Sequence, residues 1–207
     1  MRREWLSESL PVSVYSIDSK PYGLTYGEWS AKWWKWFLSI PKKHNPAFDL
    51  DGSNASTSQS YLPVFFLCQT YENTDILPNR TVDIPINSLI FMPIINWISI
   101  MHHDGETDEQ LLTIARNKMD VVTNLEFIVN GIPVRKGLEA YRAVSPFFDV
   151  ELPKDNIIGL SPGVRRAVSD GFWFFLKPLH NMLELTSTGA CSSGLTKIGV
   201  KYRINLV

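Results

Sequence analysis

Alternation of apolar and polar residues dominates the last third of the chain and restricts its fold more than any other feature. In residues 197–207 every second side chain is apolar, which is the period of a half-buried β-strand. Residues 147–152 alternate with acids, and residues 171–176 form a very aromatic run. Turns rich in Gly and Pro separate these segments, as at residues 159–163. Several short strands divided by such turns predict a sandwich or jelly-roll-like fold.

Further strands are predicted upstream. Residues 62–69 form a short apolar strand, residues 80–86 alternate, and residues 89–100 read as a buried strand bent at Pro93. Asn130-Gly131 lies between two apolar runs, and this pair is a strong signal for a β-hairpin.

Two segments instead follow the helical period. Thr25 and Glu28 have the spacing of a capping box, and Pro41 ends the segment that follows. Its large apolar residues recur on one helical face, namely Trp29, Trp33, Trp36, Phe37 and Ile40. A second capping box, Thr107 with Gln110, precedes another amphipathic helix.

These patterns predict one mainly β (α+β) domain, a single β-sandwich or jelly-roll-like unit with two packed amphipathic helices. A chain of 207 residues is short enough for one domain. We assign residues 1–20 to an N-terminal arm, with a short strand at residues 12–17, and residues 21–207 to the β-rich domain.

Composition argues against two classes of partner. The formal net charge is −1 and no run of Lys and Arg exceeds two residues, so we expect no nucleic-acid binding, which needs clustered positive charge. The longest apolar run, residues 89–101, is interrupted and too short to span a bilayer. No apolar segment follows Arg2 and Arg3, so we predict no signal peptide and expect a cytoplasmic protein.

Several motifs resemble a family of uncharacterised bacterial and archaeal proteins. They are the opening YGEWSAKWWKWFLSIPKKHNP, then FMPIIN, MDVVTNLEFIVNGIPV, SPFFDVELPKDNIIG, PGVRRAVSDGFWFFLKPL and the closing VKYRINLV, which together run from about Tyr26 to Val207. The resemblance implies no assigned activity, and it implies export for many relatives. The chain departs from the family after Leu179, where His180 and Asn181 replace a Ser-Pro-Gly turn.

The tryptophan-rich helix allows two interpretations. Large apolar residues at helical spacing are typical of a helix that packs on a core, so we expect most rings of this helix to pack against the sheet. Trp34 falls on a flank and is the best candidate for an exposed ligand contact, with Lys35 and His44 as a rim. Asp170, near Trp173, is a further candidate for a ligand pocket.

Adjacent histidines and carboxylates give a metal-binding alternative. His102, His103, Asp104 and Glu106 are ligand types that a divalent metal ion accepts. Neighbouring residues of an extended strand point to opposite sides, however, so we favour a polar turn before a helix cap. Cys191, paired with His180 as a base, is a weaker candidate for nucleophilic chemistry.

We therefore expect a binding or assembly protein without enzymatic activity. Its predicted partner is a second copy of the chain or a small molecule such as a carbohydrate, and its predicted surface is the loops at one end of the sandwich. The alternative is a metal-dependent enzyme or metal-binding protein that uses the cluster at residues 102–106. The sequence leaves open whether Cys68 and Cys191 pair.

Overall fold

A computed structural model describes residues 12–59, 63–134, 137–178, 182–192, 194 and 197–207. The elements follow in the order β1 (Val12–Val14), α1 (Tyr26–Ser39), β2 (Val64–Phe66), β3 (Asn79–Ile84), β4 (Leu89–Ile100), α2 (Asp108–Asp120), β5 (Val122–Val129), β6 (Ile132–Pro133), β7 (Arg142–Val144), β8 (Phe148–Leu152), β9 (Gly163–Pro178), β10 (Met182–Cys191) and β11 (Ile198–Leu206). Short 3-10 helices lie in the connections.

The strands form two mixed sheets. In the first, β9 pairs along one edge with β4 and along the other with β8, β7 and β1 in succession, while β2 adds to β4 in parallel. The second sheet has the order β3-β11-β10-β5-β6, with β3 and β11 parallel. The two sheets pack together, which confirms the predicted mainly β, sandwich-like domain with two helices.

Both faces of β9 are covered, and this explains its aromatic sequence. The Trp173 and Phe175 rings contact rings of α1, whereas Phe174 contacts Phe127 of β5 in the second sheet. A strand that is covered on both faces is apolar continuously instead of alternating. The ten consecutive residues 167–176 are all buried, and the last five of them, residues 172–176, are all apolar.

Helix α1 begins and ends where the sequence predicts. The Thr25 hydroxyl accepts a hydrogen bond from Glu28 N at 3.2 Å, and Glu28 Oε2 accepts one from Thr25 N at 2.8 Å. These reciprocal bonds satisfy backbone donors that the first turn leaves unpaired. Trp29, Trp33 and Trp36 are buried, so the core interpretation of the stripe is confirmed.

Helix α2 forms only half of its predicted cap. Thr107 accepts a hydrogen bond from Gln110 N at 3.3 Å. Gln110 Oε1, however, accepts from Glu106 N at 2.7 Å and thereby ties the helix to the turn before it.

The described part of the N-terminal arm, residues 12–20, belongs to the first sheet at its start. β1 pairs with residues 176–178 of β9, and Val12 is completely buried. Tyr26 of α1 donates its hydroxyl to Tyr15 O at 2.7 Å. Residues 1–11 of the predicted arm lie outside the described residues.

A buried arginine of β3 joins the second sheet to the chain before and after β2. Arg80 Nη1 donates to Cys68 O at 2.9 Å and to the Tyr202 hydroxyl at 3.2 Å, and Arg80 Nε donates to Asp49 O at 2.8 Å. Burial raises the pKa of the Cys68 thiol to about 11, against the opposing influence of Arg80. Cys68 and Cys191 are both buried, and no disulfide joins them.

Candidate functional site

A pocket of about 400 Å³ lies beside the outer edge of β4. β2 pairs with only Leu89–Phe91 on this edge, so residues 92–100 have no neighbouring strand there within the described part of the chain. The pocket is lined by α1 on one side, by residues 69–73 after β2, and by Ile198 at the start of β11. Its size falls in the range of small-molecule sites. The shortness of β2 therefore creates the opening.

Aromatic rings form much of the pocket wall. Trp33 and Trp34 stand perpendicular, with centroids 5.0 Å apart, and Trp33 stacks on Phe37 at 4.6 Å. Tyr71 continues the wall from Phe37 at 6.4 Å, and Trp97 joins it from β4. The perpendicular rings present both faces and edges to a ligand, so the wall suits an apolar or cationic group.

Polar atoms without hydrogen-bond partners concentrate at this pocket. Within the described part of the chain, six buried side-chain nitrogen or oxygen atoms lack a partner, and four belong to residues that line it. They are Trp34 Nε1, Gln69 Oε1, Asn96 Nδ2 and Trp97 Nε1. Buried polar atoms are nearly always hydrogen-bonded in native proteins, and exceptions call for an explanation. Three donors and one acceptor thus belong to residues that line one cavity.

The other tryptophans of α1 show that the fold normally satisfies this group. Trp29 Nε1 donates to Pro21 O at 2.9 Å, Trp33 Nε1 to Leu67 O at 2.9 Å, and Trp36 Nε1 to Thr57 O at 2.8 Å. Trp34 is equally withdrawn from solvent, with 5% of its surface exposed, yet its indole N–H has no partner among the described residues. Its environment therefore differs from that of the three core tryptophans.

The amide of Gln69 is held in place by the second sheet. Gln69 Nε2 donates to Ser187 Oγ of β10 at 2.8 Å, and this bond fixes the orientation of the side-chain amide. Gln69 is 4% exposed, and its Oε1 lacks a partner among the described residues. A ligand with an N–H or O–H group would satisfy it.

Acidic groups stand at the rim of the pocket. Glu72 and Asp104 line it, and Asp104 Oδ2 accepts a hydrogen bond from Ile100 N at 2.7 Å. Burial raises the pKa of the Tyr71 phenol, and the charges of Glu72 and Asp104 raise it further. Both carboxylates therefore act on the same ring of the wall.

The residues that were predicted to contact a ligand do not lie together in the structure. Trp34 lines the pocket but is buried instead of exposed. Lys35 is exposed and lines a separate groove between α1 and β8, and His44 is exposed in a short 3-10 helix after α1. Trp173 is completely buried and stacks on Phe91 at 5.0 Å.

Asp170 takes part in an internal ion pair. It is completely buried, and Arg142 of β7 donates to it through Nε at 3.0 Å and Nη2 at 2.6 Å. Burial raises the pKa of the Asp170 carboxyl, and Arg142 opposes that shift. Arg142 also bonds Asp120 of α2 at 2.6 Å. Arg142 of β7 thus links Asp170 of β9 to Asp120 of α2.

The predicted metal ligands do not converge. No group of three or more His, Cys, Asp and Glu residues in the described ranges is placed to hold a metal ion. His102 Nδ1 lies 2.7 Å from Glu106 Oε2, and both side chains are about 70% exposed. His103 and Asp104 line the aromatic pocket instead. The segment forms the polar turn that we favoured, with His102 in a left-handed conformation at φ 62°.

Most of the pocket is not predicted by the sequence patterns, including three residues with unpartnered polar atoms, Gln69, Asn96 and Trp97. Asn96 does interrupt the apolar run of β4, which was a usable signal for a special site. Gln69 follows an apolar strand, but no pattern reveals that it meets Ser187 across the sandwich. His180, the base proposed for Cys191, lies outside the described residues.

Neither α1 nor α2, the two α-helices in the described ranges, is long and apolar enough to cross a lipid bilayer. Comparisons with known families, with curated proteins and with solved structures found no match for this chain. The family resemblance carried by the tryptophan-rich opening therefore stays a prediction.

Proposed function

We propose that this protein is a non-enzymatic binding module that holds a small organic molecule in the pocket beside β4. The observation that carries the proposal is that four residues lining one aromatic-walled cavity each have a buried polar atom without a partner among the described residues. A buried donor or acceptor without a partner costs about 1–3 kcal/mol of stability. A bound ligand with matching groups would remove that cost.

The chemistry of these four atoms favours binding over catalysis. They are two indole N–H groups and two carboxamide atoms, from Trp34, Trp97, Asn96 and Gln69. Such groups do not titrate near neutral pH, so they orient a ligand instead of exchanging protons with it. Reacting groups, by contrast, need pKa values matched to their task.

The test is a fragment screen by ligand-observed NMR against the wild-type protein and a pocket-filling variant, Ile98→Trp. Ile98 lines the pocket, and a larger ring there would occupy the ligand volume. Ile76→Trp is the matched control, because Ile76 is 84% exposed and does not line the pocket. We expect fragments that bind the wild type to raise its melting temperature by mass action.

Binding should survive in Ile76→Trp and disappear in Ile98→Trp. Thermal unfolding of each variant without ligand first establishes that it folds. The proposal fails if no fragment binds the wild type with a dissociation constant below about 1 mM, which corresponds to a weak ~4 kcal/mol interaction. It also fails if a folded Ile98→Trp protein binds the same fragments as tightly.

The predicted self-association stays a prediction. Large exposed apolar side chains in the described ranges, such as Leu50, Ile76 and Met182, come from separate loops and strands. Isolated apolar residues on a surface are normal in monomers and do not favour assembly over binding.

A further inference from the structure

The charges around the pocket have one predominant sign. Glu72 and Asp104 line it together with one basic residue, His103, and none of its described lining residues is Lys or Arg. The nearest cation in the described ranges that contacts a wall ring is Lys118, whose Nζ lies 4.5 Å from the Trp97 centroid. Two carboxylates outweigh this one ammonium, so the potential at the rim favours a cationic ligand and disfavours an anion.

The aromatic wall of the pocket also favours a cationic ligand. Trp33, Trp34, Phe37 and Tyr71 contribute rings, and those of Trp34 and Phe37 are perpendicular with centroids 5.6 Å apart. The face of an aromatic ring attracts a cation, and tryptophan does so most strongly. Trp97 already receives the Lys118 ammonium on its ring, so the protein itself uses this interaction at the pocket wall.

The unpartnered atoms define the rest of the ligand. Gln69 Oε1 needs a hydrogen-bond donor, which a primary or secondary ammonium supplies and a quaternary ammonium lacks. Trp34 Nε1, Asn96 Nδ2 and Trp97 Nε1 need an acceptor, which a hydroxyl or carbonyl oxygen supplies. A carboxylate would also accept these bonds but would face Glu72 and Asp104.

We infer that the pocket selects a small protonated amine, primary or secondary, that carries an oxygen acceptor at its other end. This inference rests on the proposed function, since it names the ligand class of the same site. The ammonium lies among the aromatic rings and the carboxylates of Glu72 and Asp104, and it donates to Gln69. The oxygen lies on the β4 side of the pocket, where it accepts from the Asn96 amide.

The experiment is isothermal titration with three probes that share a phenol ring and a two-carbon chain and differ in charge. They are tyramine, a cation; 3-(4-hydroxyphenyl)propanamide, which is neutral; and 3-(4-hydroxyphenyl)propionate, an anion. We expect tyramine to bind at least about tenfold more tightly than the anion at low salt, as opposite charges close together near a protein surface imply.

The double variant Glu72→Gln/Asp104→Asn removes both rim charges and keeps the size of each side chain. It should weaken tyramine about tenfold and leave the neutral amide within about twofold. The control is Glu139→Gln/Asp155→Asn, which changes the net charge equally at two exposed residues that do not line the pocket. Tyramine binding in the control should equal that of the wild type.

The outcomes separate this inference from the proposed function. If the neutral or anionic probe binds as tightly as tyramine and Ile98→Trp abolishes its binding, the pocket is a binding site and the preference for amines is wrong. Equal weakening of tyramine by the rim and control variants also overturns that preference. If no probe binds, the preference for amines is wrong, and if the fragment screen is also empty, both proposals fail.

Discussion

Trp33 and Trp34 are adjacent in α1 and almost equally buried, so they provide a matched test of the unpartnered indole. Trp33 is 2% exposed and Trp34 5%. Replacing either by Phe removes the same atoms from the same helix. The loss of apolar burial should cost each variant about 2 kcal/mol of unfolding free energy.

The hydrogen-bond contribution separates the two variants. Trp33→Phe also loses the bond from Nε1 to Leu67 O, worth about 1 kcal/mol, for a total near 3 kcal/mol. Trp34→Phe instead removes a buried donor without a partner and recovers about 1–2 kcal/mol of its desolvation cost. Its net loss should therefore be at most about 1 kcal/mol, and the variants should differ by about 2 kcal/mol or more.

The assay is equilibrium urea unfolding without ligand, followed by circular dichroism and by tryptophan fluorescence. Equal slopes of free energy against urea concentration are required before the values are compared. Equal losses in the two variants, or a larger loss for Trp34→Phe, would refute the reasoning. Either result would mean that the Trp34 indole N–H has a partner in the ligand-free protein.

Three further predictions concern the scaffold. Arg142→Met leaves the buried Asp170 carboxylate without its bidentate partner and should cost about 3–5 kcal/mol at pH 7 in urea unfolding. Burial already raises the pKa of the Asp170 carboxyl, so a proton binds the folded variant more tightly than the unfolded chain. The loss of unfolding free energy in Arg142→Met should therefore shrink as pH falls through the raised pKa, and a loss that is independent of pH would contradict this. The Cys68 thiol is buried and has a pKa near 11, so in a Cys191→Ser protein it should react with a disulfide reagent at pH 8 only after denaturation. Rapid reaction of the folded protein would show that Cys68 is accessible. Gly27→Ala, normally stabilising in a helix, should destabilise strongly, because the added methyl would overlap a backbone carbonyl oxygen of β7, and a melting temperature at or above that of the wild type would exclude this close approach.

Sequence patterns predict those features that depend on a single helix or a single turn. The cap at Thr25 and the stop at Pro41 define α1, and the Asn130-Gly131 turn forms the hairpin between β5 and β6. Asn130 and Gly131 both adopt positive φ, as a tight hairpin turn of this kind requires. These features depend on backbone preferences within a few residues, so sequence carries them directly.

The candidate site could not be assembled from sequence because its parts are far apart in the chain. Trp34, Gln69 and Asn96 line one pocket only because α1 packs on the first sheet and β2 stops three residues along β4. The partner of Gln69 is Ser187, which is 118 residues away. No periodicity encodes such a pairing.

The class of fold, the two helices and the burial of the tryptophan stripe can thus be read from residue order, because hydrophobic period and capping act locally. Three features of the site depend on how the elements pack: which indole lacks a partner, the pairing of Asp170 with Arg142, and the position of His103 and Asp104 at an aromatic pocket instead of with His102 at a metal. The physical reason is that a hydrogen bond or an ion pair depends on distances set by the packing of whole sheets, and residue order along one strand leaves those distances open.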